Sequence, residues 1–391
     1  MHISPLELEN IQWEPTSYCN ANCIGCPRTD PETLLTTALI HKWQRHAPYK
    51  PFLKSINPKL LPNLKWITFN GNIGDCMMHP DIDKIIIESL MCNQNIHITI
   101  HTNGGGLHSK KWENIGKFIN DNNLQHRILI IFSVDGLEDT NHLYRRNVQW
   151  KNIDNNRKTL KKYNMYGTWR FIKFDHNKHQ IDDAKKLAEQ WGWRFKLNFP
   201  YNENRIKRLL HTPNNPKLFK EKLKDWKGEL KLKDEELRLK IEGQKIISLK
   251  SIPNQNTKCP WKEESTIQLL SDYTVWPCCW TGHMNILYKA KHNTEKYQPH
   301  HMTTEVLEWE KIVNKNNKTL WYDRNDIRIT ETQTLSDVLT SDSFNKINEI
   351  LTTPINNKFQ LNLCQKTCAT STTFNDEDKV VVRYGEYPKG R

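Results

Sequence analysis

Short runs rich in β-branched and aromatic residues alternate with helix-period segments through the first half of this 391-residue chain. The candidate strands cover residues 65–69, 96–101, 128–134, 168–174 and 194–199, and several run directly into loop signals such as Asn70-Gly71 and Asn103-Gly104. Between them lie amphipathic stretches, among them 81–91, with Ile82, Ile85, Ile86 and Leu90 at helical spacing, and 110–120. Strand, helix and strand in this order predict βα units, hence a parallel sheet or barrel. Ligands of such folds bind at the C-terminal ends of the strands, where these polar loops fall.

The pattern changes after Pro200. Residues 203–250 mix many Lys and Arg with Glu221, Asp225, Glu229, Asp234, Glu235, Glu236 and Glu242, and Pro213 and Pro216 interrupt them. Mixed signs at that density read as a solvated helical face. From Ser251 the chain is loop-rich, with short strands expected at 266–270 and 274–276. The expected division is 1–203 as the barrel, 204–255 as a charged helical linker and 256–391 as a small cysteine-rich α+β domain, which suits about 150 residues per domain. The net charge of +13 raises the question of an anionic partner. Lys and Arg are spread rather than gathered into a stripe that tracks phosphates, so a surface for nucleic acid or an acidic peptide is the less favoured reading. No run approaches the roughly 18 uncharged apolar residues of a membrane span. The first residues, with Glu7 and Glu9, lack the basic-then-apolar order of a secretory signal. A soluble, cytoplasmic protein is expected.

A reducing compartment makes metal binding a better use of ten cysteines than a disulfide framework. Cys19, Cys23 and Cys26 follow the first strand with the spacing C-x3-C-x2-C, Tyr18 before them and Asn20 after the first. Three thiolates on one tight loop can hold three irons of a [4Fe-4S] cluster and leave the fourth without a protein ligand. The amino and carboxylate groups of S-adenosylmethionine (SAM) can chelate that corner. Zinc would want a fourth protein ligand at short range, and the nearest downstream histidine, His41, is not at a finger spacing.

This spacing resembles the radical SAM superfamily, and the resemblance continues downstream. Gly74-Asp75, after the second strand, is similar to the Gly-Glu of the family's Gly-Gly-Glu-Pro segment, with Cys76 where the family usually has proline. Thr102-Asn103-Gly104 is similar to its Thr-Asn-Gly turn, and Ser133-Val134-Asp135-Gly136 to its Ser-[Ile/Leu/Val]-Asp-Gly. Each motif alone is weak; four in order, each at a strand end, are specific. The match covers residues 11–200 and implies a partial (β/α)6 TIM-like barrel. By position, Gly25, Gly74, Asp75 and Ser133 would touch SAM, with Asp75 accepting from its ammonium. Thr102 and Lys173 would face the substrate side, although Lys173 reads equally well as a surface lysine at a strand end.

A second set comprises Cys259, Cys278, Cys279, Cys364 and Cys368. Residues 267–280 read as a β-hairpin turning at Asp272-Tyr273, which returns Cys278 towards Cys259. This resembles the SPASM and shortened twitch domains that hold auxiliary clusters. Five cysteines are too few for the two clusters of a full SPASM domain, so the twitch form with one auxiliary [4Fe-4S] cluster fits better. Its ligands would be Cys259, Cys278, Cys364 and Cys368, with Cys279 spare because neighbours in an extended segment point opposite ways. A structural zinc, or a metal-free helix-face pair at Cys364 and Cys368, are the alternatives.

The resemblance implies reductive cleavage of SAM to methionine and a 5′-deoxyadenosyl radical that takes a substrate hydrogen. An auxiliary cluster with four protein ligands would relay electrons, which favours net oxidation. An electron donor such as flavodoxin or ferredoxin is implied. Oxidative modification of a peptide or protein is the leading expectation, without a separate leader-binding domain at the N-terminus. Dehydrogenation or modification of a small polyol, sugar or nucleoside comes second. A non-enzymatic iron–sulfur electron carrier is the alternative of another class, but it would have no use for the motifs at strands two to four.

Overall fold

The structure, a computed structural model, describes residues 3–26, 28–29, 44–71, 73–199, 261, 264–277 and 325–352. Six strands alternate with helices: β1 (Asn10–Trp13), α1 (Lys50–Ser55), β2 (Trp66–Phe69), α2 (Ile82–Cys92), β3 (His97–Thr102), α3 (Ser109–Asp121), β4 (Ile128–Ser133), α4 (Asn141–Tyr144), α5 (Trp150–Lys162), β5 (Gly167–Ile172), α6 (Ile181–Gln190) and β6 (Arg194–Asn198). All six are parallel and neighbour one another in chain order. Right-handed crossovers in that order put every connecting helix on one face, which leaves an inner face free of them. The result is the six-stranded parallel arrangement expected, with strand ends shifted by one or two residues.

Period-two alternation sorts the side chains. Trp13 packs on Phe52 of α1 at 3.9 Å, Phe132 on Trp112 of α3 at 5.9 Å, and Trp169 stacks on Trp191 after α6 at 4.9 Å. Ile67, Phe69, Ile98, Ile100, Ile130 and Phe171 share this phase and are buried. From the helices, α2 buries Ile82, Ile85, Ile86 and Leu90, and α3 buries Trp112, Ile115 and Ile119, the stripes that their spacing predicts. Each such burial contributes about 1.5–3 kcal/mol. The opposite phase carries Gln12, Thr68, Thr99, His101, Ser133, Arg170 and Lys196 together with Trp66, Leu129, Ile131 and Ile172, so the inner face mixes polar and apolar residues.

The hairpin turns where expected, with Tyr273 at φ 63° and Thr274 donating to Asp272 Oδ1 from its N–H (3.1 Å) and hydroxyl (2.6 Å). The hairpin joins the main sheet. Strand β7 (Thr266–Leu269) pairs in parallel with β1, and β8 (Val275–Trp276) pairs antiparallel with β7, so the sheet runs β6-β5-β4-β3-β2-β1-β7-β8. The reason is burial. All four β7 residues are buried, and Ile267 and Leu269 continue the layer of Ile11 and Trp13. Helices α7 (Leu335–Thr340) and α8 (Asp342–Thr352) follow, and the Leu335 N–H donates to Ser55 Oγ of α1 at 3.0 Å. Cys259, Cys278, Cys279, Cys364 and Cys368, and the 204–255 linker, lie outside the described residues. No helix among the described residues is long and apolar enough to cross a membrane.

Candidate active site at the strand ends

The cysteine loop follows β1 and is tied to three other strand-end segments. The Asp75 N–H, after β2, donates to Tyr18 O at 2.8 Å. Asn22 N–H donates to Arg146 O (3.0 Å) and Ile24 N–H to Tyr144 O (3.4 Å), both after β4. From the β3 turn, Asn103 Nδ2 donates to Asn20 Oδ1 at 2.8 Å. Within the loop, Cys26 N–H donates to Cys23 O at 3.0 Å, closing the turn that holds Gly25. The Tyr18 ring stacks on His46 at 4.5 Å and forms a wall beside the first cysteine.

The sulfurs have polar neighbours. Cys19 Sγ lies 3.4 Å from the Ala21 N–H and 3.8 Å from Asn103 Nδ2, and Cys23 Sγ lies 3.8 Å from Arg145 Nη1. Burial pushes all three thiols up, Cys26 to about 12, while Arg28 acts against it at each. Buried thiols of this kind become thiolates only when a cation replaces the proton. Among the described residues, no three His, Cys, Asp or Glu side chains converge on one ion position. Three soft donors on one loop, with N–H groups and guanidiniums at the sulfurs, are a donor set that fits an iron–sulfur cluster.

Asp75 is held by three donors of the rim. Its carboxylate accepts from the Met77 N–H (3.0 Å), the Thr102 hydroxyl (2.9 and 3.0 Å to its two oxygens) and the Asn103 N–H (2.7 Å). A carboxylate has about four acceptor positions, so little remains for an ammonium. Burial raises the Asp75 pKa against these bonds. The same contacts commit the Thr102 hydroxyl to Asp75. The pair clamps the β2 and β3 loops together. Gly74 is required beside it, since a Cβ there would lie 1.9 Å from Thr16 O and 2.9 Å from Tyr18 O.

Two further ionic elements escaped the sequence reading. Glu14, buried at the end of β1, accepts from the Ile73 and Gly74 N–H groups at 2.5 and 2.6 Å, and Arg28 donates to Ile73 O at 2.9 Å. Burial raises Glu14 to about 7 despite those N–H groups and Arg28. Asp135, fully buried, accepts from Arg145 Nε (2.6 Å) and the Ile172 N–H (2.7 Å). Glu14 carried a usable signal, a carboxylate between Trp13 and Pro15 at the end of an apolar strand. Arg145 carried none, because it meets Asp135 across a loop without periodicity.

The remaining candidates are dispersed. Ser133 ends β4 on the inner face, half-buried, and its hydroxyl makes no hydrogen bond among the described residues. Lys173 is out of phase with Arg170, and its ammonium sits 5.8 Å over the Phe199 ring. Cys76 is buried with its thiol towards His101 O at 3.3 Å, and Cys92 is exposed.

No protein-family model and no curated protein matches the sequence. Among solved structures the chain is similar to Streptococcus suis SuiB bound to precursor peptide SuiA, at 14% identity and a TM-score of 0.41, over 69% of this chain and 59% of that one. It is also similar to a histidine-tagged anSMEcpe with bound AdoMet, at 14% identity and a TM-score of 0.44, over 89% and 81% of the two chains. A third is BtrN in complex with AdoMet and 2-DOIA, at 12% identity and a TM-score of 0.37, over 88% and 87%. The chain thus spans less than two thirds of SuiB.

Proposed function

We propose that this chain is a radical SAM enzyme that modifies a peptide or protein oxidatively. The observation that carries the reading is the joining of the three-cysteine loop to Gly74-Asp75 and Asn103 on one rim, through the Asp75–Tyr18 and Asn103–Asn20 hydrogen bonds. Cys19, Cys23 and Cys26 would hold three irons of a [4Fe-4S] cluster. When bound, that cluster supplies the electron that splits SAM into methionine and a 5′-deoxyadenosyl radical. The chain's own residues do the positioning. Glu14 holds the Gly74 N–H, and Asp75, the residue after it, is tied to the Met77 and Asn103 N–H groups, so the ligand meets a fixed backbone segment rather than a mobile carboxylate. Arg145 and Asn103 direct N–H groups at cysteine sulfurs, which stabilises charge there. Gly25 and Ser133 complete the SAM surface in this reading. The inner face presents the substrate hydrogen. Cys259, Cys278, Cys364 and Cys368 would hold an auxiliary [4Fe-4S] cluster, whose chemistry would be electron relay, and a flavodoxin or ferredoxin would be the electron donor.

The test is anaerobic incubation of reconstituted protein with SAM and dithionite, assayed for 5′-deoxyadenosine. Changing Cys19, Cys23 and Cys26 together to Ala should abolish 5′-deoxyadenosine and remove one cluster's iron. Unchanged iron in that variant would sink the reading.

A further inference from the structure

None of the eight strands among the described residues contains an Asp or Glu. The inner face is instead cationic at one corner. Arg194 and Lys196 of β6 both lie on it, exposed, and neither makes an ion pair among the described residues. Arg170 of β5 is directly in register with Lys196, and Thr168 with Arg194. Like charges on neighbouring strands, about 4.8 Å apart, repel one another. Arg170 also acts on His101, whose pKa falls to about 3 through burial first and this neighbouring charge second. Of the rim carboxylates, Glu14 and Asp75 are held by N–H donors of the rim itself, while Asp135 pairs with Arg145 and also feels the charge of Arg170, which leaves Arg194 and Lys196 as the cations without an ion pair among the described residues. A surface that concentrates cations in register and keeps carboxylates off these strands is suited to a negatively charged occupant.

We infer that the β5–β6 corner binds an acidic segment of the substrate peptide, with carboxylates at alternate positions. The spacing selects a peptide. Arg194 and Lys196 are two residues apart on an extended strand, roughly 6.6–6.8 Å, which is also the repeat between same-side side chains of an extended peptide. A Glu-x-Glu stretch laid along β6 therefore meets both cations, with Arg170 flanking Lys196. The inference rests on the reading of the inner face as the substrate side, and deepens it by naming the substrate's charge and pattern.

The experiment is fluorescence anisotropy on the reconstituted full chain. The probe is a fluorescein-labelled Gly/Ser dodecapeptide carrying Glu-Ser-Glu-Ser-Glu, compared with the same peptide carrying Lys in place of Glu. The acidic peptide should bind and the basic one should not. The double variant R194E/K196E should weaken binding about tenfold or more, and R194Q/K196Q should weaken it less, which covers failure of the reversed variant to fold. K185E/K186E, which reverses two exposed lysines of α6, makes the same change in net charge and should leave the affinity within about twofold. Equal weakening by both reversals would assign the effect to the overall +13 charge and overturn the proposal. Displacement by inorganic pyrophosphate far below the concentration of free glutamate needed would make the site a phosphate site and overturn it too. SAM cleavage without peptide is measured in parallel. Intact cleavage with no peptide binding removes this inference alone, whereas absent cleavage removes the functional reading.

Discussion

The C-terminal rim around β1 to β4 and the β5–β6 corner of the inner face handle charge in opposite ways. Around β1 to β4, the buried rim acids have internal donors: Glu14 on two backbone N–H groups, Asp75 on Met77, Thr102 and Asn103, and Asp135 on Arg145 and Ile172. At the β5–β6 corner, Arg194 and Lys196 stand exposed with no carboxylate on their strands. The first pattern costs desolvation and repays it in rigidity, because the Glu14–Gly74, Asp75–Asn103 and Asp135–Ile172 bonds tie one strand-end segment to the next. The second leaves charge repulsion in place for an incoming group to relieve. Preorganisation at one end and unpaired field at the other are what a site needs if it fixes a cofactor and recruits a separate substrate.

The sharpest way to break the first half of that comparison is Arg145→Ala. It strips Asp135 of its guanidinium while leaving the carboxylate fully buried. Breaking a buried pair by removing one partner is expected to destabilise by about 3–5 kcal/mol. Urea denaturation of the apo chain measures this directly, free of any iron effect. A loss under about 1 kcal/mol would mean that water reaches Asp135 and that the rim is not rigid there.

A pH series sharpens the same half from another side. Burial raises Glu14 from 4.5 to about 7 in the folded chain, so the folded state binds its proton more tightly than the unfolded state does. The contribution of Glu14 to stability is therefore largest in acid and declines as pH rises between about 4.5 and 7, on the order of 3 kcal/mol across that window. Glu14→Gln keeps an oxygen for the Ile73 and Gly74 N–H groups and removes the titration. The difference in unfolding free energy between variant and parent should move in the variant's favour from pH 5 to pH 8. A constant difference would show that Glu14 ionises normally.

Much of this molecule was legible beforehand because its signals are local. Ile82, Ile85, Ile86 and Leu90 announce a buried helix face, and the β-branched runs announce strands whose ends carry the motif loops. The setting of the 266–276 hairpin was not legible, since its pairing with β1 joins residues about 250 positions apart and leaves no periodic trace. The internal partners of Asp75 and Thr102 were not legible for a related reason. A motif gives the residue type at a position, whereas the three donors around the Asp75 carboxylate come from two loops that meet only in the fold.

Ser133 and Thr102 give the smallest and most discriminating contrast. Both are hydroxyl residues at strand ends that the motifs single out. Thr102 uses its hydroxyl on Asp75, whereas the Ser133 hydroxyl has no hydrogen bond among the described residues. Removing a hydroxyl that the protein itself does not use should leave stability within about 0.5 kcal/mol. If Ser133 instead donates to SAM, Ser133→Ala forfeits one neutral hydrogen bond, about 1 kcal/mol, and the SAM dissociation constant rises about fivefold. Calorimetric titration of the reconstituted chain with SAM, beside a thermal melt, reads both quantities. An unchanged affinity with an unchanged melt would remove Ser133 from the SAM surface and shift that surface towards the Gly74 side of the rim. A large loss of stability would instead show that β4 needs this hydroxyl for its own register, which would erase the contrast with Thr102.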